Sequence, residues 1–176
     1  MKFSEEILEQ FDIEPPVDHE PVNVMKIRDM LDFLRESADR IVRKSRLYLE
    51  TDDVDLEMDC LDIVTAKLND FTQVFRDLVL FILNEQGIRK SNPSLRYSIA
   101  SFDTLGFQQT DAEKLFLQEM LLRNEITHDY FNREIHQQKL IWIMTNCCEG
   151  SLDIWHDLND YCTDHGLLDK YADNNA

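Results

Sequence analysis

Apolar residues with helical spacing dominate the middle of the chain. Seven of them are separated alternately by three and four positions, and this places all seven on one face of an α-helix: Leu61, Val64, Leu68, Phe71, Phe75, Leu78 and Ile82. Val74 and Val79 widen the apolar face near its end, and Gly87 is a natural C-cap. The pattern predicts one long helix that contacts more than one neighbour.

Shorter apolar repeats predict helices on both sides of this element. We expect an earlier long helix, a short helix in the connector of residues 88–109, and three later helices, with bounds of about 24–50, 94–105, 111–123, 133–148 and 151–163. Thr110 and Glu113 form a capping-box pattern at the start of the third of these. Before them lies an arm, residues 1–23, in which prolines follow an apolar helical face made of Phe3, Ile7, Leu8 and Phe11.

These elements predict an all-α protein, an up-down bundle of four to six helices joined by short connections. We divide it into the arm (1–23), the helical bundle (24–148) and a C-terminal helix with a polar tail (149–176). The broad apolar surface of the longest helix favours a two-fold homodimer.

Composition supports this fold class and restricts the function. Only four Gly and four Pro are present, which favours long helices. The net charge of −17 excludes a broad basic surface for nucleic acid, so any RNA contact must be local. The same charge suits a basic protein partner, or simply a soluble surface.

Cysteine usage and hydropathy predict a cytoplasmic protein. The four cysteines, at 60, 147, 148 and 162, include no CxxC pair, and this fits reduced thiols. The N-terminus lacks the apolar core of a signal peptide, and the longest apolar run, Leu78–Leu83, is too short to span a membrane.

Five cations gather in the second half of the first long helix: Arg35, Arg40, Arg43, Lys44 and Arg46. One interpretation is a local contact with RNA or a nucleotide. The other, which we favour, is compensation of the helix dipole together with pairing to the acidic stretch of residues 52–59.

A polar break between two apolar helices contains the residues most suited to chemistry. Arg123, Asn124, His128 and Tyr130 lie there in the order Arg-Asn-x-x-x-His-x-Tyr. RNA carries its own nucleophile, the 2′-hydroxyl, so cleavage needs a base for that proton and a cation for the charge that grows on phosphorus. Neutral His is the usual base near neutral pH, and Arg offers donors matched to phosphate oxygens. No metal or cofactor is required, and Asn124 would orient the phosphate or His128.

On these residues the chain resembles the HEPN superfamily, and within it the HepT-like ribonuclease toxins, whose hallmark is Arg-x(4–6)-His with a Tyr two residues later. The resemblance covers about residues 24–148, and it includes Phe81–Gly87, Pro93–Ser94 and Leu105–Phe107. It implies that Arg123 and His128 are catalytic. It also implies that Tyr130 accepts AMP from a partner nucleotidyltransferase, the antitoxin, which silences the toxin.

The spacing of the motif raises a geometric problem. In an unbroken helix Arg123 and Tyr130 would share a face, whereas His128 would point about 140° away from Arg123. Either the helix breaks near Thr127, or two chains contribute to one cleft. The resemblance implies the composite, dimeric arrangement.

Other interpretations remain open. The chain could be a non-catalytic HEPN binding module that partners a nucleotidyltransferase, and Arg123 and His128 could be structural, paired with Asp129. Tyr130 could anchor a helix through its hydroxyl. His156, Cys162 and His165 match no strong zinc pattern, so we expect no metal site there and a solvated terminal helix instead.

Overall fold

Two long antiparallel helices form the centre of the protein. The computed structural model describes residues 13–14, 24–90, 94–121 and 133–168. Helix α1 is Val24–Glu50 and helix α2 is Val54–Glu85, and they pack along their length. The ammonium of Lys26 lies 4.6 Å from the ring centre of Phe81, and that of Lys67 lies 5.5 Å from the ring centre of Phe33, so early residues of α1 meet late residues of α2.

The seven residues predicted to share one face of the longest helix are all buried, with exposed fractions of 5% or less. The start of α2 is fixed by Asp53, whose carboxylate accepts hydrogen bonds from the backbone N–H groups of Asp55 and Leu56, at 3.0 and 3.3 Å. This helix therefore begins earlier than its apolar face suggests, because a cap and not a core residue determines its first turn.

A glycine reverses the chain at the end of α2. Gly87 has a φ of +78°, in the left-handed region. The N–H of Ile88 donates to the carbonyl of Leu83 at 2.9 Å, and that of Gly87 donates to Asn84 at 3.0 Å. This is the Schellman pattern, and it confirms the predicted role of Gly87.

A two-residue antiparallel bridge follows this turn. Strand β2, Arg89–Lys90, pairs with strand β1, Ile13–Glu14, in the register Ile13 with Lys90 and Glu14 with Arg89. The sequence did not predict the bridge, since two residues are too few to show an alternating pattern. The predicted apolar face at Phe3, Ile7, Leu8 and Phe11 lies outside the described residues.

Four shorter helices surround this pair. They are α3 (Leu95–Thr104), α4 (Asp111–Glu119), α5 (Arg133–Asn146) and α6 (Gly150–Asp164). Helix α3 packs on α2, α5 contacts α1, α2 and α4, and α6 lies against α1 and α4. The described residues thus contain six helices, and the predicted all-α class is confirmed.

The last helix is part of the core. Ile154, Leu158 and Cys162 of α6 are fully buried. The indole N–H of Trp155 donates to the carbonyl of Leu31 at 3.0 Å, which ties α6 to α1. The expectation of a solvated terminal helix is therefore wrong. Its apolar positions are too few to show a strong period in isolation, although its neighbours cover them in the folded chain.

Aromatic contacts link α2 to the shorter helices and then to α6. The rings of Phe71 and Phe116 meet edge to face with centres 5.4 Å apart, as do those of Phe75 and Phe102. Further contacts continue the chain of rings from Phe102 to Phe107 and on to Tyr161. Helices α3 and α4 are therefore positioned by rings on successive turns of one face of α2.

Within the helices that the structure describes, none has both the length and the apolar character needed to cross a membrane.

Gly150, the first residue of α6, allows α6 to approach α4 closely. A Cβ at this position would lie 2.3 Å from the carbonyl oxygen of Ala112 and 2.8 Å from the Cα of Glu113. Both are backbone atoms, so a side chain cannot be accommodated unless one helix moves.

We expect Gly150→Ala to lower the free energy of unfolding by about 1–3 kcal/mol, because the added methyl group forces α4 and α6 apart. Helix propensity alone predicts a gain of up to about 1 kcal/mol from this change. Urea unfolding shows whether the free energy of unfolding falls or rises in the variant. Thr163→Ala, at an exposed position of the same helix, is the control, and there a small gain is expected. A stabilised Gly150→Ala protein would contradict the close approach.

Candidate functional site

The predicted catalytic segment joins two described helices. Arg123, Asn124, His128 and Tyr130 all lie within residues 122–132, which are outside the described residues. The structure describes the chain up to Leu121, just after α4, and again from Arg133, where α5 begins. The roles of these four residues remain predictions, and the described flanks form their structural context.

Helix α4 leads into this segment from an anchored start. The hydroxyl of Thr110 accepts a hydrogen bond from the N–H of Glu113 at 3.1 Å. In return, the carboxylate of Glu113 accepts a hydrogen bond from the N–H of Thr110 at 3.2 Å. This reciprocal pair is the capping box that the sequence predicted. Phe116 and Met120, fully buried, hold the rest of the helix against the core.

Helix α5 leaves the segment with one face buried and another exposed. His136, Leu140, Ile143, Met144 and Cys147 are buried, with exposed fractions of 9% or less. Ile135 and Trp142, seven residues apart and therefore on one face, are 51% and 42% exposed. Helix α5, which follows the predicted site, thus presents two large apolar side chains to solvent.

We did not predict a role for His136 from the sequence. It lines a groove of about 200 Å³ between α5 and α2, with Thr65 and Asp62 on the opposite wall. Its position was detectable, since 136, 140, 143 and 147 follow helical spacing. A histidine on an apolar stripe gave no chemical signal, however, because such a residue is usually part of the core.

Three of the five α1 cations line one open groove. Arg40, Arg43 and Lys44 surround a volume of about 390 Å³ above the apolar side chains of Leu47 and Ile63. Arg40 pairs with Glu36 at 2.9 Å and Arg43 with Asp39 at 3.3 Å. Among the described residues, no carboxylate lies within ion-pair distance of Lys44.

The other two cations contact α6 and its N-cap. Arg46 pairs with Glu149, the N-cap residue of α6, and the guanidinium of Arg35 lies 5.0 Å from the ring centre of Trp155. Within the described part of the chain, none of the ion pairs of these arginines goes to residues 52–59. The pairing that we favoured from the sequence is therefore wrong. Helix packing brings Glu149 to Arg46 across more than a hundred positions.

Glu113 and Asp157 form a buried carboxyl pair where α4 meets α6. One oxygen of each, Oε1 of Glu113 and Oδ2 of Asp157, is buried without a hydrogen-bond donor. The side chain of Glu113 is only 1% exposed. Burial, and after it the facing carboxylate of Asp157, raise the pKa of Glu113 to about 8, although the hydrogen bond from the Thr110 N–H lowers it. The raised pKa favours the protonated form of Glu113 at neutral pH, which is the form that can donate a hydrogen bond to the carboxylate of Asp157.

Three of the four cysteines offer no reactive thiolate. All four are buried and unpaired. Burial raises the pKa of Cys147 and Cys162 to about 12, and it also raises the pKa of Cys148. The thiolate is the nucleophilic form, so these three thiols are protonated and inert at neutral pH.

Within the part of the chain that the structure describes, no group of three or more His, Cys, Asp or Glu side chains is arranged to hold a metal ion.

Comparison with known proteins identifies no relative: no protein-family model, no curated protein and no solved structure matches this chain.

The carboxyl pair predicts that stability falls as pH rises. The pKa of Glu113 is higher in the folded state, about 8, than its ordinary value of 4.5. The stabilisation is therefore complete below about pH 4.5 and is lost as pH rises through about 8, at up to about 1.4 kcal/mol per pH unit. Glu113→Gln removes the titrating proton but keeps the cap, and its amide is able to donate to Asp157. We expect its free energy of unfolding to change less with pH than that of the wild type.

Urea unfolding between about pH 5 and about pH 9 measures this difference. Glu119→Gln, the same substitution on the same helix, is the matched control, because Glu119 lies outside the pair. If Glu113→Gln and the wild type show equal slopes, the shared proton is excluded.

Proposed function

We propose that this chain is a metal-independent endoribonuclease with a HEPN-like Arg-x4-His site. The observation that carries the proposal is the sequence Arg123-x4-His128-x-Tyr130, which joins two helices of an all-α structure. In this proposal His128 is the general base or acid, Arg123 binds the phosphate and Asn124 supports the polar site. The capped and packed α4 supports it further, because this anchored helix ends four residues before Arg123 in the sequence.

The reaction follows from the residue types. One His128 removes the proton of the 2′-hydroxyl, whose oxygen attacks the adjacent phosphorus while the bond from phosphorus to the 5′-oxygen breaks. A proton returned to the leaving 5′-oxygen completes the step. The products are a 2′,3′-cyclic phosphate and a 5′-hydroxyl. Arg123 stabilises the negative charge that develops on the phosphate oxygens.

A two-fold homodimer of up-down bundles supplies both the base and the acid, since each chain contributes one His128 and one Arg123. The exposed apolar face of α5, with Ile135 and Trp142, supports a partner surface close to the segment. It follows the motif by only a few residues, so a second chain bound there would approach the same cleft.

Regulation belongs to the same proposal. AMP transferred to Tyr130 by a partner nucleotidyltransferase places a negative charge and a bulky group two residues from His128. Substrate phosphate is then excluded by repulsion and by size. The proposed setting is a cytoplasmic toxin with its antitoxin enzyme.

The cationic groove of Arg40, Arg43 and Lys44 is the described surface best suited to an RNA backbone. Its apolar floor, Leu47 and Ile63, accepts a ribose or a base while the cations face phosphates. The chain carries −17 charges overall, so such a local contact is the kind of RNA contact that its electrostatics permit.

A second candidate is a non-catalytic module that binds a nucleotidyltransferase. The strongly acidic total charge favours it, because a protein partner tolerates this surface better than RNA does. In that case Arg123 and His128 contribute to stability or to partner contact and not to cleavage.

We expect the purified protein to cleave RNA in the presence of EDTA and to leave 2′,3′-cyclic phosphate ends. His128→Ala should abolish cleavage, with a loss of at least about a hundredfold, because general acid–base catalysis contributes that much or more. Gel analysis of end-labelled RNA measures both. His156→Ala, which removes an exposed histidine on α6, should cleave like the wild type.

The opposite result separates the two candidates. If neither wild type nor His128→Ala cleaves, while both are folded and intact mass shows Tyr130 unmodified, the ribonuclease proposal fails. The binding module is then the better account. Cleavage that stops in EDTA would instead reject the metal-independent mechanism.

The cationic groove makes a separate prediction. In a His128→Ala background, Arg43→Glu with Lys44→Glu should weaken binding of a single-stranded RNA oligonucleotide and reduce the slope of log affinity against log salt by about one per lost phosphate contact. Fluorescence anisotropy at several salt concentrations measures the slope. Arg28→Glu, on the same helix about 24 Å from Lys44, is the matched control. Equal slopes for the groove variant and the control would exclude the groove as an RNA contact.

A further inference from the structure

A second groove lies at the opposite end of the long helices, between the start of α1 and the end of α2. It has a volume of about 290 Å³. Four half-buried apolar side chains line it, Met30 from α1 and Val74, Leu80 and Phe81 from α2. Asn84 closes the groove at the last turn of α2, and Lys26 lies over Phe81. The lining combines these four apolar side chains with the polar Lys26, Asp77 and Asn84, a composition that suits the binding of an amphipathic helix.

The β-bridge brings the N-terminal arm to this end of the protein. Ile13 pairs with Lys90, and the turn at Gly87 folds the chain back onto the last turn of α2 through the hydrogen bond from Ile88 to Leu83. Strand β2 contacts α2, so residue 13, which pairs with it, lies near the end of α2 where Asn84 lines the groove. Phe11 is only two residues away, a reach of at most about 7 Å.

The sequence of the arm has the matching pattern. At helical spacing, Phe3, Ile7, Leu8 and Phe11 share one face of about 140°, and the three acidic residues Glu5, Glu6 and Glu9 lie on the other face. A helix with this pattern buries its apolar face and leaves its carboxylates in water.

We infer that residues 3–11 of this chain dock as an amphipathic helix in the groove formed by Met30, Val74, Leu80 and Phe81. From residue 3 to residue 11 a helix is about 12 Å long, and from Val74 to Asn84 the groove wall is about 15 Å long. With Ile13 held near Asn84, Phe11 occupies the end near Asn84 and Phe3 the end near Val74. This docking is independent of the proposed ribonuclease activity.

The chain's own arm is favoured over a second copy by its tether. The bridge tethers the arm to the same chain, two residues from Phe11, so the arm is present near the groove at a high effective concentration, whereas a second copy must bind from solution. The orientation also keeps Glu5, Glu6 and Glu9 away from the carboxylate of Asp77 at the groove rim.

Hydroxyl-radical footprinting of the full chain tests the docking, because Met30 oxidises readily when it is exposed. We expect Met30 to be protected in the wild type and to be oxidised several-fold faster in Ile7→Asp/Phe11→Asp, whose charged side chains cannot enter an apolar groove. Met58, which is 42% exposed at the far end of α2, is the internal control and should not change. Glu6→Gln/Glu9→Gln, on the polar face, should behave like the wild type.

Two results would overturn the inference. One is an equal rate of Met30 oxidation in the wild type and in Ile7→Asp/Phe11→Asp, with circular dichroism showing the same helicity for both. The other is protection of Met30 that increases with protein concentration, which assigns the groove to a second copy. If the double variant loses helicity, the single variant Ile7→Asp provides the comparison under the same criteria.

Discussion

The rest of the structure depends on one constraint, which is that the wide apolar face of α2 must be buried against more than one neighbour. A helix of 32 residues with a wide apolar face cannot hide that face against one neighbour. Helix α1 covers one side, while Phe75 and Phe71 receive rings from α3 and α4. The short helices α3 and α4 are marginal on their own, so these contacts and not local propensity determine where they lie. The helix that leads to the predicted catalytic segment is thus positioned by a ring of α2.

Because the surface is acidic, several of the few cations form ion pairs with neighbouring carboxylates. Arg40 and Arg43 are neutralised within their own helix, and Arg46 reaches Glu149 on the neighbouring element. These pairs are exposed to solvent and contribute little stability. Among the described residues Lys44 has no such ion pair, so it supplies the uncompensated positive charge of its groove. An anion that binds this protein must therefore be recognised over a few side chains and not over a broad face.

Glu113 links the start of α4 to α6, and two opposing effects act on its protonation state. As a cap it accepts the Thr110 N–H as a carboxylate, and this favours the charged form. As a buried group facing Asp157 it is more stable when protonated. This second effect is the larger one, because burial is the main cause of the shift in its pKa. Thr110 also donates to Asp153 at 2.6 Å, so the same corner joins the cap to α6. The start of α4 therefore contains a titratable contact with α6, whereas its later turns bury the apolar side chains of Phe116 and Leu117.

The sequence by itself determined the helices, their caps and the residues suited to RNA chemistry. Spacing along α2, the Thr110–Glu113 box and the Gly87 turn are all encoded within a few neighbouring positions, because helical geometry repeats every 3.6 residues. Arg123 and His128 were also recognised from local order, and they remain predictions because their segment lies outside the described residues. Only the tertiary structure decided that Asp157 faces Glu113, that Glu149 meets Arg46 and that Ile13 pairs with Lys90. These partners lie more than forty positions apart, and what brings them together is the packing of whole helices, which no local pattern specifies.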